Sequence, residues 1–239
     1  MPPLEAQARP FARPLWRVIE GQYRSSTVRL VTTFAEHDVL ENLLESSKPS
    51  VPADCAHLDY QFWSPFRYGS YPRPSRFRRA GRTPGVWYGS EKPLTAICEM
   101  GWGMLSFFAA SPGTPLPRRP IEYTAVKADI RSPFAIDLTA PALADEGPWM
   151  DPNDYTACLD LADRARAAGI EVIRYASVRH PDHGPNAAVL TCRAFHQPSP
   201  VATQTWHIHY GPALLRTSCE TTRQRWTLKT GPTGFDFAE

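Results

Sequence analysis

The spacing of apolar residues predicts two helices in the first half of the chain. In residues 33–45, valine and leucine recur at helical spacing behind Thr33 and Glu36, a pair typical of a capping box. We therefore expect an amphipathic helix there. A second helix is expected to begin after Ser90 as its cap, with Pro93 in its first turn and an apolar stripe along one face.

The second half alternates between one helix and several strands. The segment "DPNDYTACLDLADRARAAG" predicts a helix with Asp151 as N-cap, Pro152 at the first helical position and Gly169 as C-cap. Residues 121–130 alternate apolar and polar positions, as a half-buried strand does. Further strands are expected in "PGVWYG", "EVIRYA", "NAAVLTCRAF", "TWHIHYG" and "RQRWTLK". This pattern predicts an α+β domain with a central mixed sheet and flanking helices.

Composition narrows the class of protein. With 239 residues, 42% hydrophobic and 11% aromatic, the chain can bury the core of one globular domain. A net charge of +2 is too small to indicate a nucleic-acid binder, so any basic surface must be local. Five cysteines without CxxC spacing argue against both a disulfide framework and a zinc knuckle, and favour a reducing cytoplasm. We find no export signal and no segment suited to span a membrane.

A local concentration of arginine lies in a segment that we interpret as a long loop, because it is rich in proline and serine up to Arg82. Four of its arginines are expected to face solvent. Arg67 and Arg76 differ, because aromatic neighbours can fix their guanidinium groups, and two fixed groups suit a pyrophosphate. Stacking of single-stranded nucleic acid is the less favoured alternative. The six arginines are Arg67, Arg73, Arg76, Arg78, Arg79 and Arg82.

Glu99 is a candidate functional residue because of its position on a predicted helix. It lies beside the buried stripe of the helix that follows Pro93, where a carboxylate is costly unless it has a partner. It is therefore either a paired structural group or a functional one. A carboxylate near arginines can stabilise an oxocarbenium-like ribose. Two histidine pairs, in "RHPDH" and "WHIHY", lack a third ligand, and we expect no metal site.

The ordered segments "PFRYGSYPRPSRFR", "VWYGSEKPLTAICE" and "IRYASVRHPDHGPNAAVL" together resemble the RES domain family. The opening "WRVIEGQYRSSTVRLVTTFAEHDVLENLLESSKP" resembles the N-terminal part of its longer members, so the likeness covers most of residues 16–195. On this basis we expect residues 16–230 to form a RES domain with an N-terminal helical extension. Residues 1–15 and 231–239 are expected to be tails.

The resemblance implies a fold like that of ADP-ribosyltransferases and a cytoplasmic toxin of a bacterial toxin–antitoxin system. Such proteins consume NAD as a substrate rather than as a cofactor, cleaving the nicotinamide–ribose bond with water or inorganic phosphate as acceptor. The implied partners are a cognate Xre-like antitoxin and a second toxin copy within the complex, with no membrane. The alternatives are a mono-ADP-ribosyltransferase that modifies a host protein and a noncatalytic module that binds nucleic acid or protein.

The same resemblance assigns roles to individual residues. Catalysis falls to Arg67, Tyr88, Glu99 and Ser177. Within this set, Glu99 stabilises the ribose cation and Ser177 bonds near the nicotinamide or ribose. NAD binding falls to Arg67 and Arg76 at the phosphates and to Tyr68 and Tyr88 at the nicotinamide riboside, with Ser177 and Asn186 completing the set.

Overall fold

The computed structural model describes residues 3–20 and 30–238. Within them, a nine-stranded sheet is flanked by helices, which confirms the expected α+β class. The strands are β1 (Arg9–Glu20), β2 (Trp87–Ser90), β3 (Ile121–Asp137), β4 (Val172–Ala176), β5 (Pro185–Val189), β6 (Ala202–Tyr210), β7 (Leu214–Cys219), β8 (Arg225–Thr230) and β9 (Phe235–Phe237). The helices are α1 (Leu4–Gln7), α2 (Phe34–Ser46), α3 (Tyr60–Trp63), α4 (Pro93–Ala109), α5 (Pro141–Ala144) and α6 (Thr156–Ala167).

The long strand β3 organises the sheet. One of its edges pairs with β1 in antiparallel fashion along nearly the whole of both strands. Its other edge is divided, because β6 pairs with the first half and β4 with the last three residues. Strands β1, β2, β5, β4 and β3 thereby form a closed ring, while β6 to β9 continue from β3 as an antiparallel extension. The ring leaves β1 and β2 joined by a single pair, Trp16 with Ser90.

The predicted helices are present, with differences at their first residues. The capping box of Thr33 and Glu36 opens α2 as expected, and Gly169 follows α6 with a positive φ that suits glycine. Ser90 does not cap α4, because it is the last residue of β2 and Lys92 occupies the cap position. Asp151 does not cap α6 either. Its carboxylate accepts backbone N–H groups of the turn that precedes the helix.

Parts of both expected tails belong to the folded sheet. Residues 9–20 form β1, in which Phe11, Leu15, Trp16 and Val18 are buried, so the sheet includes residues that precede residue 16. Residues 235–237 form β9, which pairs with β8. Residues 1–2 and 239 of the expected tails, and residues 21–29 of the expected N-terminal extension, lie outside the described residues.

The segment expected to be a long loop contains short helical elements and packs against the sheet. It contains α3 and a 3₁₀ turn at Ser64–Phe66, and Phe62 is fully buried, stacking on Phe195 with ring centroids 4.7 Å apart. Beside them, Cys55 and Cys192 form a disulfide with their Cα atoms 5.3 Å apart, although 137 positions separate them in the chain. The absence of CxxC spacing argued against a disulfide framework, but spacing along the chain could not show this single pair, which only the fold brings together. No helix of the described residues is long and apolar enough to cross a membrane.

Candidate active site

A cavity of about 400 Å³ opens where β1 and β2 separate. A volume in this range is typical of small-molecule sites. The ring of strands provides the walls, and the N-terminal half of α4 closes one side. The lining residues are 16–18 of β1, 74–76, 88–90 of β2, Ala96, Glu99 and Met100 of α4, and Tyr155, Tyr175, Arg179 and Asn186.

The carboxylate of Glu99 is held in place through one of its two oxygens. Its Oε1 accepts hydrogen bonds from Ser177 Oγ at 2.6 Å and from Asn186 Nδ2 at 2.8 Å. Ser90 Oγ in turn donates to Asn186 Oδ1 at 2.6 Å, which fixes the orientation of the amide. Within the described residues Oε2 receives no hydrogen bond. Glu99 therefore has one oxygen engaged by the protein and one oxygen available to a ligand in the cavity.

Ser177 has a defined role in this network. It is fully buried, and its Oγ accepts the backbone N–H groups of Arg179 at 3.1 Å and His180 at 3.0 Å. Both acceptor positions of the hydroxyl are occupied, so its single proton is donated to Glu99. Ser177 supports the carboxylate from behind and is not itself a lining residue of the cavity.

Three arginines line the cavity without a carboxylate partner: Arg17, Arg76 and Arg179. Among the described residues, none of them has an acidic oxygen within 4.0 Å. Arg76 is 7% exposed, donates to the carbonyl of Trp149 at 2.8 Å and lies 4.5 Å over the ring of Tyr155. A buried cation that is bonded only to neutral groups is costly unless an anion arrives.

Arg17 is the least satisfied of the three. Its guanidinium lies 5.7 Å over the ring of Trp87 and makes no hydrogen bond to the described residues. Burial lowers its pKa to about 10, although the nearby hydroxyls of Tyr71 and Tyr88 act in the opposite direction. Arg17 is still a cation at neutral pH, and an anionic ligand would relieve the cost of its burial.

Tyr88 connects the cavity to the segment that carries Arg76. Its hydroxyl is 2.8 Å from Ser75 Oγ and accepts the backbone N–H of Phe77 at 3.1 Å. Burial raises the pKa of Tyr88, so the hydroxyl keeps its proton. Tyr88 thus fixes the position of Arg76, and the side chain also faces the cavity.

The structure brings together most of the residues that the sequence assigned to the site. Arg76, Tyr88, Glu99 and Asn186 line the cavity, and Ser177 lies directly behind Glu99. No group of three or more potential metal ligands occurs in the described part of the chain.

Arg67 and Tyr68 require a correction, because neither lines the cavity. Arg67 is 8% exposed and is already engaged. It binds Glu45 of α2 at 2.6 Å and the carbonyl of Pro49 at 2.6 Å. Tyr68 is partly exposed and makes an edge contact with Tyr71. Flanking aromatic residues indicated a fixed guanidinium at Arg67 correctly but could not indicate its partner.

Sequence reasoning missed two of the three cavity arginines. Arg17 lies at the start of the segment that the resemblance assigns to an N-terminal helical extension, and residues 1–15 are expected to be a tail, so the sequence does not predict β1. A signal was present, since in "LWRVIE" a single arginine stands between the apolar residues Trp16 and Val18 on a strand. Arg179 stands two residues after Ser177 in "IRYASVRHPDHGPNAAVL", and nothing in the local sequence shows that it is buried.

Comparisons with known proteins give one family match. The model of the RES domain matches residues 51–211, which include Arg76, Tyr88, Glu99 and Arg179 but not Arg17. Among solved structures, the chain is similar to a chain of the crystal structure of the M. tuberculosis MbcT–MbcA toxin–antitoxin complex. The two are 10% identical with a TM-score of 0.47, over 85% of this chain and 91% of that chain. No curated protein matches the sequence.

Proposed function

Because this chain belongs to the RES domain family, we propose that it is the toxin of a bacterial toxin–antitoxin system and that it degrades NAD by cleaving the nicotinamide–ribose bond. The observation that carries the proposal is the charge arrangement of the cavity. Three arginines without acidic partners among the described residues, the buried Arg76 and Arg179 and the partly buried Arg17, line the cavity together with one carboxylate that the protein holds in a fixed orientation. Such a site suits a ligand with an anionic part and a part that becomes positive during reaction.

The arginines supply the anionic side of this recognition. The diphosphate of NAD offers oxygens to several guanidinium groups, which bind such oxygens in bidentate fashion. Arg17 and Arg76 are the primary candidates, since their cations gain an ionic partner only when the ligand binds. In the free protein the cost of burying these charges is not offset by a salt bridge, so part of the binding energy comes from removing that cost.

Glu99 supplies the reactive side. When the bond between ribose and nicotinamide breaks, its electron pair leaves with nicotinamide and positive charge develops on the ribose. The free Oε2 of Glu99 stabilises this charge, while Ser177 and Asn186 hold Oε1. Attack by water gives ADP-ribose and one proton, which Glu99 accepts. Attack by inorganic phosphate gives an ADP-ribose phosphate. Tyr88 and Tyr175 line the same cavity as surfaces for the ring of the leaving nicotinamide.

The proposal extends to the relationship of the fold to other enzymes and to the molecule that accepts ADP-ribose. We propose that the sheet and its cavity are related to those of ADP-ribosyltransferases, so that a protein side chain as acceptor would use the same residues. NAD serves as the substrate in each case, with inorganic phosphate as the co-substrate in phosphorolysis.

An antitoxin is the second part of the proposal. An unchecked NAD-degrading enzyme in the cytoplasm would arrest its own host, so we propose a cognate, Xre-like antitoxin that fills the cavity or covers the segment of residues 67–82. A second toxin copy completes the complex. Co-purification of the neighbouring gene product with a tagged toxin checks this. Stable, harmless expression of the chain alone would contradict it.

The deciding experiment incubates the purified protein, freed of antitoxin, with NAD in the presence and absence of inorganic phosphate, and identifies products by chromatography and mass. Nicotinamide with ADP-ribose indicates hydrolysis, and a phosphate-dependent ADP-ribose phosphate indicates phosphorolysis. Intact NAD under both conditions refutes NAD degradation. If the purified protein alone leaves NAD intact but, once host proteins are added, transfers ADP-ribose to them with release of nicotinamide, protein modification replaces it. Salt-sensitive retention on nucleic acid without NAD loss would favour the noncatalytic alternative.

A further inference from the structure

Residues 233–235, at the end of the turn between β8 and β9 and the start of β9, lie beyond the family-matched residues 51–211. They contact Arg179, which lines the cavity. Phe235 donates its backbone N–H to the carbonyl of Arg179 at 2.9 Å. The guanidinium of Arg179 donates from Nη1 to the carbonyl of Thr233. Backbone and side chain of one cavity arginine are therefore both held by the C-terminal turn.

The remaining contacts of Arg179 leave its charge unpaired. Its Nη2 donates to the carbonyl of Pro152 at 2.6 Å, and the guanidinium lies 4.8 Å over the ring of Trp102. Phe235 supports that ring through an edge contact of 5.8 Å. A guanidinium has five N–H groups, and Arg179 uses two of them on neutral carbonyls. Arg179 is 6% exposed, so its remaining donors lie in a largely enclosed, cationic position at the cavity.

The fit between the turn and Arg179 is tight at Gly234. A Cβ added to Gly234 would lie 2.9 Å from both the Cα and the carbonyl oxygen of Arg179, and 2.9 Å from the carbonyl oxygen of Val178. These are backbone atoms, so a side chain could enter only if the turn or the segment of Arg179 moved. Gly231, in the same turn, differs because its nearest neighbour is the flexible carboxylate of Asp236 at 3.2 Å.

We propose that Arg179 binds a phosphate oxygen of the dinucleotide and that residues 233–235 position Arg179 for this contact. This rests on the proposed function and adds a residue and a segment to it. Arg179 touches substrate, whereas the turn acts through Arg179. Since its backbone N–H also bonds Ser177 Oγ, Arg179 places this phosphate contact next to the support of Glu99.

The experiment measures KM and kcat for NAD in four variants. Arg179→Gln should raise KM roughly tenfold with little change in kcat, because a ground-state ionic contact is lost. Gly234→Ala should raise KM about threefold, while its matched control Gly231→Ala should stay within about 1.5-fold of the original protein. In the double variant Arg179→Gln/Gly234→Ala, KM should be no higher than in Arg179→Gln alone, since the turn acts through the arginine. Thermal unfolding confirms that each variant is folded.

Several outcomes would overturn the inference while leaving NAD degradation intact. An unchanged KM in Arg179→Gln would remove Arg179 from the substrate site, and this variant decides the matter if Gly234→Ala does not fold. Additive increases in the double variant would show that the turn acts by another route. A fall in kcat without a rise in KM for Gly234→Ala would indicate displacement of Ser177 instead. Failure of the unmodified protein to consume NAD would refute the proposed function itself, so the two failures are distinguishable.

Discussion

The arginines that attach residues 75–82 to α6 differ from those that line the cavity, because only the former bind acidic side chains. Arg79 binds Asp160 and Asp163 of α6, and Arg82 shares Asp163 at 3.1 Å. Arg76, three residues before Arg79, and the other two arginines of the cavity, Arg17 of β1 and Arg179, have no acidic partner among the described residues. Arg79 and Arg82 thus attach their segment to α6 through carboxylates, whereas the three cavity arginines keep an unpaired charge.

This difference separates structural from functional arginines by an observable property. An exposed salt bridge contributes little to stability, and its loss is felt locally. A buried cation without a carboxylate costs free energy in the absence of ligand, and a fold retains such a cost where binding compensates for it. The predictions below test that separation, beginning with the acid that the unpaired arginines surround.

The largest effect is expected at Glu99. Glu99→Gln keeps the size of the side chain but removes the charge that would stabilise the ribose cation, so kcat for NAD should fall by about 10²–10³ with KM nearly unchanged. Product formation measured by chromatography checks this. The matched control is Glu45→Gln, which removes the acidic partner of Arg67. Full turnover in Glu99→Gln would refute the catalytic assignment, whereas turnover in Glu45→Gln should stay close to that of the original protein.

Arg17 provides the sharpest contrast with the paired arginines. Arg17→Met should lower kcat/KM for NAD by about 10–100-fold through loss of a charged hydrogen bond. It should also leave the free energy of unfolding unchanged or raise it by about 1 kcal/mol, because an unpaired buried charge is replaced by an apolar side chain. Arg79→Met should do the reverse, with normal turnover and a lower midpoint of thermal unfolding. Loss of stability in Arg17→Met would show that Arg17 has a structural role.

The pKa of Arg17 adds a dependence on pH. Because burial lowers this pKa to about 10, the cation is lost as the pH rises through that value, and binding of an anion weakens with it. We expect kcat/KM for NAD to fall above about pH 10. The corresponding fall in kcat is expected at a higher pH, because a bound anion stabilises the protonated form of Arg17. Arg17→Met should show no such inflection in kcat/KM. An identical inflection in the variant would assign it to another group.

A smaller effect is expected from the support of Glu99. Ser177→Ala removes one of two hydrogen bonds to Oε1, so kcat should fall about tenfold. Ser132 offers a matched control, because it is also buried, donates to a glutamate (Glu171, at 2.7 Å) and accepts a backbone N–H, but lies outside the cavity. Ser132→Ala should leave kcat unchanged, although it should lower the free energy of unfolding about as much as Ser177→Ala does. Equal kinetic effects in both variants would mean that Ser177 matters only for folding.

The limits of sequence reasoning follow the same division between local and tertiary information. The apolar spacing and first-turn residues that predict α2 and α4 lie within a few positions of one another, and Gly169 marks the end of α6 in the same local way. These elements could therefore be predicted from the sequence. Glu99 could be singled out because a carboxylate beside an apolar stripe is locally anomalous. The partner of an arginine is not a local property. Asp160 and Asp163 lie more than 80 positions after Arg79, and the bond between Cys55 and Cys192 spans 137 positions.

The smallest effect on activity is expected at Arg67, the arginine that sequence and family resemblance placed in the site. Its Nε and Nη2 are engaged by Pro49 and Glu45, and the ring of Trp63 lies 5.5 Å away, so its charge already has an acidic partner in the absence of a ligand. Arg67→Gln should keep KM and kcat for NAD within about twofold while lowering the midpoint of thermal unfolding. Combined with Glu45→Gln, it should add little further loss of stability, because both changes break the same contact. A rise in KM as large as that of an Arg76→Gln variant would show instead that Arg67 leaves Glu45 when substrate binds, and the distinction between paired and unpaired arginines would then fail at this residue.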